Sequence, residues 1–283
     1  MNRRVFLNHA FAGALGGLCL TKSNVMASIA TRRKLSKIGL QLYTVRRELE
    51  KDFEGTLAKV AALGFSEVEF AGYFNRTPEQ VKEALAKNNL ASPSVHVLPA
   101  VLRNSLQQTI DAAKTIGHQY VVCAYLLPEE RKSLDDYKRL VDLFNEGGGR
   151  LKKAGLQFCY HNHDFEFTPI DGKIPYDLML AGTDPKTVKM ELDLYWITKA
   201  GQSPLKYFSA HPGRFPLVHV KDMDATPKRF FTEVGHGTIN FKEIFADSDK
   251  AGIKHYFVEQ DETPGSPFDS IKMSIDYLKQ LEF

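Results

Sequence analysis

Several apolar runs of this sequence end in side chains that can bind a metal or move a proton. Residues 155–167, GLQFCYHNHDFEF, run from an apolar stretch into His161, Asn162, His163, Asp164 and Glu166. VKMELDLYW reaches Asp193, FPLVHVKD reaches His219, Lys221 and Asp222, and HYFVEQD reaches Glu259 and Asp261. One such ending carries little weight, whereas four at similar intervals imply strands side by side with polar side chains at their carboxyl ends. Parallel α/β enzymes build their active sites in this way. Asp193, His219 and Glu259 form a mixed oxygen and nitrogen set suited to one divalent metal ion, Mn2+, Co2+, Zn2+ or Mg2+, and the imidazole argues against calcium. Each residue alone has an ordinary reading: a turn cap, a satisfied core histidine, a partner for Lys221. Their shared position at the ends of three consecutive strands favours the metal.

The elements that position them are read from periodicity. Strands are predicted at 37–43, 66–70, 92–97, 119–125, 155–161, 188–194, 216–220 and 254–259, rich in the β-branched and aromatic residues that strands favour. Helices are predicted at 52–63, 77–88, 106–116, 134–151, 175–180, 241–251 and 270–281, with Gly64 and Gly117 as stops and Thr77-Pro78-Glu79 as a start. Gly147-Gly148-Gly149 reads as a break before the fifth strand. Strands alternating with helices over this length predict a closed α/β architecture, a single-domain (β/α)8 TIM barrel of the usual ~250 residues. An open doubly wound sheet is disfavoured because no Gly-x-Gly-x-x-Gly turn follows an early strand.

Residues 1–27 are read apart from the fold, which occupies 28–283. Asn2-Arg3-Arg4-Val5-Phe6-Leu7 has the form of a twin-arginine export motif, followed by an apolar run too short for a good membrane span and a cleavage site at Val25-Met26-Ala27. The product expected is an exported, periplasmic protein with no stable membrane span. Arg3, Arg4 and Lys22 account for the whole formal charge of +3, so the remaining chain is neutral. A neutral surface gives no electrostatic footprint for nucleic acid. Cys123 and Cys159 fall inside predicted strands as small apolar residues, with a disulfide between them conceivable in an oxidising compartment.

YHNHDFEF, ELDLYW, VHVKD, VGHGTINF and VEQD, in this order and spacing, resemble the sugar phosphate isomerase/epimerase group of the xylose isomerase-like barrel superfamily. The resemblance spans 28–283 and implies a metal held by glutamate, aspartate, histidine and glutamate from strands five to eight. Asp193, His219 and Glu259 match the last three. The first departs, since Glu-Asn-His of many relatives is His161-Asn162-His163 here. Either His161 replaces the glutamate, or Glu166 reaches back from the loop and restores a third carboxylate. The second is preferred because it keeps the family's charge balance and leaves His161 free as a base.

The implied reaction is proton abstraction beside a carbonyl, the step shared by isomerisation, epimerisation and elimination. His161, His163, Lys221 and Glu259 are the candidate catalytic residues, and Tyr43, Glu69, His96 and Trp196 the candidate sugar-binding ones. The substrate expected is an unphosphorylated sugar, because phosphorylated sugars are not expected outside the cytoplasm, even though Gly235-His236-Gly237-Thr238 sits where barrels often hold a phosphate. Hydration or elimination on 3-keto-glycosides or 2-hydroxyglycals is the alternative reaction, and a catalytically inactive sugar-binding barrel the alternative class. Barrels of this size often self-associate, so a homo-oligomer is a further expectation. Amino-terminal sequencing of protein recovered from a native cell envelope should begin near Ser28; an intact Met1 in the cytoplasmic fraction would refute export.

Overall fold

A computed structural model describes residues 32–283, so the expected export segment at 1–27 lies outside the described residues. Eight parallel strands close into a barrel: β1 (Gly39–Gln41), β2 (Glu67–Phe70), β3 (Ala91–Val97), β4 (Tyr120–Cys123), β5 (Gln157–His161), β6 (Val188–Asp193), β7 (Leu217–Val220) and β8 (His255–Val258). Each strand pairs with its sequence neighbours, and β1 closes on β8 through Gly39–Phe257 and Leu40–Val258. The (β/α)8 barrel expected from the alternation is the fold observed. Predicted helix ends are supported by local chemistry: Thr77 and Gln80 form a reciprocal capping box on Pro78–Lys87, and Gly64 ends Phe53–Leu63 at φ 99°.

Side-chain alternation divides the barrel into two environments. Leu40, Val68, Val95, Val121, Phe158, Tyr160, Val218 and Val220 face the surrounding helices as part of the main apolar core. Tyr120, Val122, Cys159, Leu217 and Phe257 make a separate plug inside the barrel. Phe257 fills it so closely that a Cβ on Gly39 would lie 2.4 Å from its ring. Further along the same inward rows stand Gln41, Glu69, Ser94, His161, Glu191, Asp193 and His219, all buried. The inward phase therefore switches from apolar to polar toward the carboxyl ends of the strands.

Two expectations are corrected, the glycine break and the helix at 241–251. Gly147-Gly148-Gly149 does not break the chain; all three lie within the helix Leu134–Lys153. Gly148 is required there by proximity, since a Cβ would sit 2.8 Å from the Thr187 carbonyl oxygen, whereas Gly149 has nothing within 4 Å. Cys123 and Cys159 are the small buried residues expected, both free thiols, one in the outer core and the other in the inner plug. The predicted helix at 241–251 is two, Phe241–Ala246 and Ser248–Ala251. The structure adds two helices after β6, Leu194–Lys199 and Pro204–Ala210, and a hairpin of Asp222–Met223 with Phe231–Thr232 above the barrel. No helix among the described residues is long and apolar enough to cross a membrane.

The two glycines predict opposite mutational effects. Gly148→Ala should destabilise by about 1–3 kcal/mol because the new methyl meets backbone that cannot yield. Gly149→Ala, in open space on the same helix, should stabilise by about 0.5–1 kcal/mol. Thermal denaturation of both variants checks this, and equal shifts would refute the packing reading.

Candidate metal centre

β6, β7 and β8 deliver Asp193, His219 and Glu259 to one point, because Asp193 and His219 are register partners and Glu259 immediately follows β8. His161, the last residue of β5, joins them. Ligand atoms of His161, Asp193, His219 and Glu259 all lie within 4.8 Å of one another, and all four residues are buried. His219 Nδ1 is 2.9 Å from Glu259 Oε2 and 3.7 Å from Asp193 Oδ2. Asp193 has its other oxygen occupied: Oδ1 accepts the Trp196 N–H at 2.8 Å, capping Leu194–Lys199. Its own N–H donates to Asn162 Oδ1 at 3.0 Å.

The state of His161 follows from its neighbours. Its Nδ1 lies 3.2 Å from the Ala124 carbonyl, which can only accept, so the proton is on Nδ1. Burial, with the neighbouring His219, pushes its pKa down to about 4, leaving Nε2 as a bare lone pair. That atom has no hydrogen-bond partner and is 3.5 Å from Asp193 Oδ2, whose one close charged donor is the Lys221 ammonium at 3.2 Å. A buried imidazole lone pair facing a carboxylate oxygen is costly unless a cation or proton lies between them. With His219 and Glu259 alongside, this donor set could hold a divalent ion.

Lys221 continues the inward row of β7. Its Nζ is 2.6 Å from Glu259 Oε2, 3.0 Å from Asp261 Oδ1 and 3.2 Å from Asp193 Oδ2. Burial alone would lower its pKa, but Asp193, Asp261 and Glu259 outweigh burial and hold it well above the usual range. A permanent ammonium therefore borders the cluster.

Glu166 lies elsewhere, which corrects the expectation that it reaches back to the cluster. Tyr160 points outward from β5, and its hydroxyl donates to Glu166 Oε1 while the His163 N–H donates to Oε2 at 2.8 Å. Burial raises the Glu166 pKa to about 7. This carboxyl pins the turn that carries His163. His163 itself is packed among Tyr125, Phe165 and Trp196, at ring distances of 5.0, 5.4 and 5.3 Å, and its buried Nδ1 has no partner.

A cavity of about 590 Å³ opens over the cluster, lined in part by His161, His163, Lys221 and Glu259. Of the expected sugar-binding residues, Tyr43 and His96 line it. Trp196 does not; its ring backs His163 and lies 5.4 Å from Lys221 Nζ, with a buried, unpartnered indole N–H. Glu69 is corrected: it is fully buried inside the barrel and engaged by Gln41, Ser94, His96 and His219, out of reach of a sugar. Sequence reading missed Glu191, although its place two residues before Asp193 puts it on the same face. It also missed Arg46, for which no sequence signal exists; the guanidinium stacks 4.0 Å above Tyr43 at the rim and donates to the Asp261 carbonyl at 3.0 Å.

The glycine loop after β7 is already filled. Asp222 Oδ2 accepts the N–H groups of Gly235 and Gly237 at 2.9 and 3.0 Å, and Oδ1 those of Met223 and Ile239 at 2.8 and 3.1 Å. Amides that could cradle a phosphate thus hold an internal carboxylate instead.

The model of the xylose isomerase-like TIM barrel family matches residues 57–281. Inosose dehydratase of Geobacillus thermodenitrificans is 24% identical over 274 residues, covering 82% of this chain and 90% of that protein. A sugar phosphate isomerase/epimerase structure from Parabacteroides distasonis is 29% identical with a TM-score of 0.76, covering 87% of this chain and 98% of that one. The IolI protein, solved with a zinc atom, shares the fold at 13% identity and a TM-score of 0.69, covering 85% of this chain and 95% of that one.

Lys221→Met should leave Asp193, Glu259 and Asp261 without their ammonium and destabilise the chelator-treated protein by about 3–5 kcal/mol. The loss should shrink as pH falls through the carboxylate range, because protonation removes the uncompensated charge. Denaturant titrations at pH 7 and pH 4 measure both effects.

Proposed function

Because the chain belongs to the xylose isomerase-like TIM barrel family, we propose that it is a divalent-metal-dependent enzyme that removes a proton beside a carbonyl of an unphosphorylated sugar or cyclic polyol ketone. The observation that carries this reading is the buried, unpartnered Nε2 of His161, which lines the cavity and faces Asp193 Oδ2 at 3.5 Å with His219 and Glu259 alongside. His161, Asp193, His219 and Glu259 would hold the ion, and two imidazoles with two carboxylates favour Zn2+, Co2+ or Mn2+ over Mg2+. When bound, the ion supplies Lewis-acid polarisation of the carbonyl and its neighbouring hydroxyl.

His161, once it is a ligand, is not free to act as the base, and that role passes to His163. Burial and the nearby His161 and Lys221 keep its pKa well below the ordinary value, so a neutral imidazole lines the cavity, and its ring is held by Tyr125, Phe165 and Trp196. Lys221 presents fixed positive charge to an oxygen that becomes negative as the proton leaves. Tyr43 and His96 on the cavity wall offer a ring face and an imidazole edge to the hydroxyl-bearing substrate. The occupied amides around Asp222 support an unphosphorylated substrate, as would the export expected of residues 1–27.

Isomerisation or epimerisation returns the proton to carbon; dehydration instead expels the neighbouring hydroxyl. The relatives named inosose dehydratase, which align over most of the chain, favour dehydration as the second reading. The retained donor set argues against an inactive sugar-binding barrel.

Elemental analysis should find one divalent ion per chain, lost in Asp193→Ala, His219→Ala and His161→Ala and kept in Glu166→Ala. Full metal content in the first three variants would overturn the ligand set. Incubating the metal-loaded protein with inososes, free ketoses and 3-keto-glycosides in deuterated water separates the reactions. Deuterium at carbon in a product of unchanged composition indicates isomerisation or epimerisation, and loss of water indicates dehydration. No exchange or turnover with any of them would refute the carbon-acid reading.

A further inference from the structure

Beneath the proposed ligands the barrel holds a second polar layer that the chemistry above does not use. Glu69 of β2 and Glu191 of β6 are fully buried and flank the rings of His96 and His219. Glu69 Oε1 is 2.8 Å from His219 Nε2 and 3.0 Å from His96 Nε2. Glu191 Oε2 is 3.3 Å from His219 Nε2 and 2.7 Å from His96 Nε2. Glu69 cannot turn away, because Gln41 Nε2 donates to its Oε1 at 2.7 Å from β1 and the Ser94 hydroxyl donates to its Oε2 from β3.

Carboxylates at this depth, directly above the plug of Tyr120, Val122, Cys159, Leu217 and Phe257, cost stability relative to apolar side chains of similar size. What they secure is the orientation of one ring. His219 meets carboxylates on both edges: Glu259 and Asp193 at Nδ1, Glu69 and Glu191 at Nε2. A neutral imidazole has one proton, so a cation on one edge requires that proton on the other. Resting on the metal reading above, we infer that Glu69, supported by Glu191, is a positioning residue for the metal centre. It holds the His219 proton on Nε2 and leaves the Nδ1 lone pair facing Asp193, Glu259 and the cation. Carboxylates that accept from the far nitrogen of a ligand histidine commonly change metal affinity by about 10–100-fold.

Zinc affinity of the full-length protein, measured by chelator competition, tests this in wild type, Glu69→Gln and Ser94→Ala. Glu69→Gln should bind zinc about 10–100-fold more weakly while the chelated protein keeps its wild-type melting temperature within a few degrees. Ser94→Ala, which touches Glu69 but not His219, should weaken zinc by a smaller factor and serves if Glu69→Gln does not fold. Nitrogen-15 spectra of the zinc-loaded wild type should show His219 metal-bound at Nδ1 and protonated at Nε2. A purely structural Glu69 would lower the melting temperature without changing the zinc affinity of the folded protein. Zinc affinity within twofold of wild type in the folded variants, or zinc on Nε2, overturns the inference and leaves the metal reading standing. A wild type that binds no zinc overturns both.

Discussion

One imidazole organises the interior of this barrel. His219 lies within 4 Å of Glu69, Glu191, Asp193 and Glu259, contributed by three different strands or strand ends, and every one of these groups is buried. So much negative charge in a low-dielectric interior is tolerable only when each carboxylate has a cation or a donor at hand. His96 serves the lower pair, Lys221 the upper pair, and His219 both. His161 Nε2, 3.5 Å from Asp193 Oδ2, is an acceptor in this cluster that no donor of the described residues reaches.

The loops above the barrel obey the same rule. Asp222 collects four backbone amides and thereby shapes the segment after β7. Glu166 does this after β5 with a tyrosine hydroxyl and one amide. In both loops a buried carboxyl fixes backbone that would otherwise leave donors unsatisfied. The consequence for function is rigidity at the mouth: His163 and Lys221 each adjoin a turn tied down by such a carboxyl. A site that stabilises a developing charge gains from groups held in place before the substrate arrives.

Specificity is drawn from what the rim offers. Tyr43, 42% exposed, and Leu98, 43% exposed, give the cavity an apolar side, and Arg46 holds the Tyr43 ring by stacking. His161, His163, Lys221 and Glu259 supply the cavity's polar and ionised lining. A substrate with one face of ring carbons and another of hydroxyls matches that division, as sugars and cyclic polyols do.

The sequence by itself determined the barrel and three members of the candidate site. Period-two alternation with a polar residue at each strand end is a local property, so Asp193, His219 and Glu259 were legible without coordinates. The place of Glu191 was available by the same rule. The choice between His161 and Glu166 was not, because it depends on where the chain turns after β5 and on Tyr160, whose outward hydroxyl captures the Glu166 carboxyl. The role of Glu69 was equally hidden: a residue near a strand end can stand at the mouth or below it, and the stagger of strands around a closed barrel sets that depth. Gly148 shows the same division. Its composition signals a break, but the approach of Thr187 from another element makes it a packing site inside a helix. Contacts between residues distant in the chain are made only by tertiary packing, and these decided each of the three.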